Sequence, residues 1–116
     1  MNKIRGQLSL EIGGQVYQAH LSVNSLCALE TVLDSEVTEI ISNFLSSFQR
    51  QRISLRVVRA FLWAMLRDSK PELTLEDAGN LVQEATMTYV VAKIIEIIPI
   101  TFPDPSGEGD KPDRPK

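Results

Sequence analysis

Few residues here could do chemistry, and their spacing favours contact over catalysis. His20 is the single histidine and Cys27 the single cysteine among 116 residues. A histidine acts as a base when a nucleophile and an orienting group lie within hydrogen-bond reach. No candidate nucleophile neighbours His20 in sequence, so it is expected on the surface or at a strand edge. Cys27 falls near a helix N-terminus, where a thiolate is favoured. Beside Leu26 and Leu29 it is nevertheless expected as a small core residue. A metal site needs more His, Cys or clustered carboxylates than this chain offers. Gly13-Gly14 is followed by a strand and by no Lys-Ser/Thr, so it is not a phosphate loop. The expectation is no catalytic site, no cofactor and no metal.

The charge pattern is more informative. Residues 50–70 hold six of the twelve basic residues (Arg50, Arg52, Arg56, Arg59, Arg67, Lys70) against the single acid Asp68, although the whole chain has net charge −3. On a helix, Arg56, Arg59, Trp63 and Arg67 stand at i, i+3, i+7 and i+11, along one face. Arginine and tryptophan are enriched at binding hot spots, which makes this stripe a candidate protein-binding surface. The competing reading puts Trp63 in the core and the arginines on the solvated back of the helix. Nucleic acid is not the expected partner, because the rest of the chain is acidic and only 6% of residues are aromatic. A second candidate surface lies near residue 90, where the sequence is apolar all round a helix. A small domain has little interior to bury such a helix completely. Tyr89, Val90, Ile94 and Ile97 are therefore expected to be covered in part by a partner or a second copy.

The elements that must position these residues are legible from periodicity. Leu8, Leu10 and Ile12 alternate with polar residues over 7–12, and Tyr17, Ala19 and Leu21 continue the pattern over 15–21. Two strands joined at Gly13-Gly14 predict a hairpin. Helical spacing follows, with Asn24, Ser35, Ser54 and Thr74 as expected N-caps and Thr74–Asp77 at capping-box spacing. The third helix is expected to run to about Arg67, with Pro71 ending that stretch, and the fifth helix to span about 87–98, stopped by Pro99. The predicted fold is α+β: an N-terminal β-hairpin packed on a bundle of four to five helices. Residues 1–98 form the expected single domain. Residues 99–116 form an expected Pro-rich, charged, disordered tail: Phe102–Lys116 alone holds four of the six prolines and seven charged residues. A single cysteine excludes an intrachain disulfide, and there is no signal-peptide pattern and no apolar run of spanning length. A soluble cytoplasmic protein without membrane contact is expected.

Several segments, in order, resemble the tail assembly proteins of gene-transfer-agent type found among phage and prophage tail genes. Asn2-Lys3-Ile4-Arg5-Gly6 leads into the strand, Gly13-Gly14 and the second strand. Asn24-Ser25-Leu26-Cys27-Ala28-Leu29-Glu30 is similar to the family's N-x-L-C-x-x-E helix. Ile53-Ser54-Leu55-Arg56 precedes Phe61-Leu62-Trp63-Ala64-Met65-Leu66-Arg67. Leu73-Thr74-Leu75-Glu76-Asp77-Ala78-Gly79 resembles the family's LTLEEVG segment, departing at Asp77 and Ala78. The resemblance covers about residues 2–98. It implies a non-enzymatic tail assembly chaperone. Its partners would be the tape-measure protein, whose apolar helices it keeps soluble, and tail tube protein or a second copy of itself. The family is also described as a tail tube protein, so a tube or connector subunit retained in the particle is the alternative. The low strand content argues against that alternative. A DNA-binding regulator using the arginine stripe ranks below both.

Overall fold

The structure, a computed structural model, describes residues 7–102. Alternation of apolar and polar side chains builds β1 (Gln7–Ile12) and β2 (Gln15–His20), paired antiparallel with Leu8 opposite Ala19 and Leu10 opposite Tyr17. The two-residue turn places Gly13 at φ 59° and Gly14 at φ 80°, a region that side chains with a Cβ avoid. This register puts Leu8, Leu10, Ile12 and Ala19 on one buried face. Ser9 and Gln18 hydrogen-bond to each other on the opposite, exposed face.

Five helices follow among the described residues: α1 (Val23–Leu33), α2 (Val37–Gln49), α3 (Leu55–Leu66), α4 (Leu75–Ala85) and α5 (Met87–Thr101). Two N-caps differ from expectation. Ser22, not Asn24, caps α1: its Oγ accepts from the Ser25 N–H at 3.1 Å and shares a 3.0 Å hydrogen bond with the Ser25 hydroxyl. That contact gives the fully buried Ser25 a partner. Ser35 does not cap α2 either, because Glu36 occupies the N-cap position without a side-chain bond. The first amide of α2, from Val37, instead donates to Glu30 Oε2 of α1 at 2.7 Å. Ser54 caps α3 as expected. Both halves of the Thr74–Asp77 capping box form, at 3.0 and 3.1 Å.

The fifth helix also overruns its expected end, continuing through Pro99 to Thr101. Proline lacks an N–H, so the Ile95 carbonyl loses one bond. In the final turn that loss is confined to one group, and the Phe102 N–H closes the end on the Ile98 carbonyl at 2.8 Å. Residues 99–101 are thus helical, and the rest of the expected tail, 103–116, lies outside the described residues.

The centre of the fold is α3, with Val58, Ala60, Phe61, Leu62, Ala64, Met65 and Leu66 all buried. It packs on α1, α4, α5 and β2. Phe61 meets Phe44 of α2 with ring centroids 5.2 Å apart. The hairpin is tied to the helices at two points. The Glu11 N–H donates to the Tyr89 hydroxyl at 2.9 Å, and the Ser69 hydroxyl donates to the Gln18 carbonyl at 2.9 Å. No helix among the described residues is long and apolar enough to cross a membrane.

Candidate protein-binding groove

The connection from α2 to α3 turns back sharply at Gln51, whose φ is 57°. Its amide donates to the Phe48 carbonyl and that of Arg52 to the Ser47 carbonyl. This turn sets Phe48 and Ile53 facing the first half of α5. Between them and Met87, Val91, Ala92 and Ile95 runs an open apolar groove of about 640 Å³. At Met87 it adjoins a second recess of about 540 Å³, lined by Leu55, Arg56, Arg59, Gly79 and Val82. Two large apolar side chains on this surface stay in solvent: Leu55 is 64% exposed and Phe48 45%. Scattered apolar residues on a surface are ordinary, but a contiguous concave set marks an interaction site.

Basic side chains border this apolar floor. The aliphatic stem of Arg59 crosses Gly79 of α4 so closely that a Cβ there would stand 3.2 Å from Arg59 Cδ. A glycine in mid-helix is thereby explained by the arginine lying over it. Arg59 Nε is buried without a hydrogen-bond partner, while Arg56 is exposed. Among the described residues no carboxylate lies within ion-pair distance of any arginine; the ion pairs found are His20–Asp68 and Lys93–Glu96.

The structure separates the expected contact residues into three groups. Arg56 and Arg59 line the recess that adjoins the groove at Met87. Trp63 and Arg67 lie farther along α3 and are engaged within the chain. The Trp63 Nε1–H donates to the Leu73 carbonyl at 3.0 Å, and the Arg67 guanidinium stands 5.3 Å from the indole ring centre. Trp63 is half-buried, between the two readings its sequence allowed. The third group corrects the expectation for α5. Val90, Ile94 and Ile97 are fully buried in the chain's own core, and Tyr89 holds the hairpin. The small domain does bury this side of α5, because the hairpin, α3 and α4 close over it. The side of α5 turned to the groove carries the exposed Ala92 and the half-buried Ile95 beside the buried Val91, away from the expected face. Sequence reading did not single out Phe48, Leu55, Met87, Val91 and Ile95, which line these two recesses. The available signal was Ile95, an apolar residue left over once Val90, Val91, Ile94 and Ile97 fill the inward side.

Cys27 also departs from expectation, since it is exposed and not in the core. His20 is half-buried at the strand end, with Nδ1 3.5 Å from Asp68. No group of three or more metal-ligating side chains occurs among the described residues.

A family model described as phage tail tube protein, GTA-gp10, matches residues 5–102. The chain belongs to this family. The match takes in the hairpin and all five described helices, so the groove of this gene-transfer-agent tail protein is built wholly from family sequence. Neither the curated proteins nor the solved structures gave a match.

Proposed function

We propose that this phage-tail family member is a non-enzymatic tail assembly chaperone that holds the tape-measure protein in the groove between α2, the α2–α3 connection and α5. The observation that carries the reading is the open apolar channel lined by the exposed Phe48, the half-buried Met87 and Ile95 and the edge of the buried Val91 on a small, mostly helical domain. A tape-measure protein must keep long apolar helices soluble before tube subunits enclose it. An open apolar groove can cover such a surface by the helix-in-groove mode. The family description favours a second reading, a tube or connector subunit that stays in the tail. The two-stranded sheet offers little of the extended β-structure that such a subunit would use to close a ring.

Co-expression with the tape-measure protein, followed by size exclusion with light scattering, separates the two. The chaperone reading expects a soluble complex that is lost in Ile95→Asp and absence of the chain from purified particles. Rings or tubes formed by the chain alone, or its recovery from particles at ring-like stoichiometry, would replace that reading with the structural one.

A further inference from the structure

Granted the client-binding reading of the groove, its lining specifies the chemistry of what it holds. We propose that the groove receives an amphipathic helix of a partner protein whose polar edge is acidic, with carboxylates set against Arg56 and Arg59.

The apolar floor fixes the helix. From Met87 to Ile95 the channel follows α5 for about 12 Å, little more than two helical turns. That length admits anchors at i, i+3 or i+4, and i+7 of a docked helix. Met87, shared by both recesses, supplies an adaptable thioether at the centre.

The rim fixes the charge. Arg56 and Arg59 reach the recess beside Met87 without an ion-pair partner among the described residues, and Arg59 Nε is buried without a hydrogen bond. A guanidinium held between apolar walls is matched by a carboxylate, which it can grip with two parallel N–H bonds. A basic helix would meet like charge there and be rejected.

The chain's own C-terminal stretch does not fit this floor. Residues 103–116 include no Val, Ile, Leu, Met, Phe, Trp or Tyr to seat as anchors. A second copy is the rival occupant, because residues 7–49 contain five acids and no Lys or Arg.

The full chain carrying 13C-methyl methionine provides the readout. Met87 reports the groove, and the fully buried Met65 reports the fold. It is titrated with a synthetic Leu/Ala/Glu helix bearing leucines at i, i+4 and i+7, and with the same peptide carrying Lys for Glu. The expected result is a Met87 shift with the acidic peptide at constant Met65. Arg56→Glu should weaken that binding about tenfold and make the lysine peptide the better ligand. Arg56 is exposed, so this variant should keep its fold, and Ile95→Asp should abolish binding of both peptides. Equal binding of the two peptides, no Met87 shift, or indifference to Arg56→Glu overturns the proposal. So does concentration-dependent self-association in sedimentation that Arg56→Glu dissolves, which assigns the groove to a second copy. Failure of the chaperone reading looks different. A tape-measure complex that is lost in Ile95→Asp but survives Arg56→Glu leaves that reading intact and removes this one. An acidic peptide seated at Met87 with no tape-measure complex does the reverse.

Discussion

Thr86 stands at φ 85°, ψ 147°, a backbone region that β-branched residues avoid. Conformations of this kind cost about 1–3 kcal/mol and persist where the surroundings over-determine them. Here one residue does two jobs. Its N–H ends α4 on the Val82 carbonyl at 2.8 Å, and its hydroxyl accepts from the Tyr89 N–H at 3.3 Å to begin α5. The two helices therefore join without a linker, beside the groove. Thr86→Ala keeps the strain and loses the cap, and should destabilise by about 1 kcal/mol. Thr86→Gly relieves the strain, loses only a few tenths as a cap, and adds up to about 1 kcal/mol of unfolded-chain entropy. The glycine variant should thus be at least as stable as the parent, and the alanine variant clearly less so, in urea unfolding. Two neighbours on α5 give a second contrast. Ile94→Asp buries a carboxylate in the core and should leave no cooperative thermal transition. Ile95 is half-buried at the groove, so Ile95→Asp should lower the melting temperature much less than Ile94→Asp and keep a cooperative transition, while partner binding is lost.

At the scale of elements, patterns with a short reach were readable and those that depend on a neighbouring element were not. Period-two alternation with Gly13-Gly14 settled the hairpin, and the Thr74–Asp77 box settled the start of α4, because both act within a few residues. Thr74→Ala should cost about 1 kcal/mol, measured by chemical denaturation, since it removes the acceptor of the Asp77 amide. The start of α2 could not be read this way. Its first amide is satisfied by Glu30, seven residues back and on another helix. Pro99 misled for a related reason: proline breaks a helix interior, yet a last turn that loses one bond can absorb it. The groove depends on three elements at once, and a one-dimensional pattern does not say which side of an all-apolar helix the fold covers first. Arg56 and Arg59 were legible from their spacing, whereas Ile95 became part of a surface only once α3 and the hairpin had taken the other face.

Across the whole molecule, charge is segregated along the sequence. Residues 7–49 carry acids without Lys or Arg, and residues 50–70 carry six basic groups against one acid. Such polarity steers encounter and responds to ionic strength over a Debye length of about 8–10 Å. Complex formation through the arginine rim should therefore slow as salt rises from 50 to 300 mM, chiefly in the association rate measured by stopped flow. The apolar floor should hold the dissociation rate nearly constant over the same range.

The bond between Tyr89 and Glu11 has a consequence for aggregation. A two-stranded sheet leaves the outer edge of each strand with unpaired amides and carbonyls, a template on which other chains can add strands. The Tyr89 hydroxyl occupies the Glu11 N–H of β1 and interrupts that row, and α4 and α5 lie against the same strand. This contact guards that stretch of β1 against edge-to-edge pairing. Removing a single oxygen, as in Tyr89→Phe, would return the Glu11 N–H to that open row.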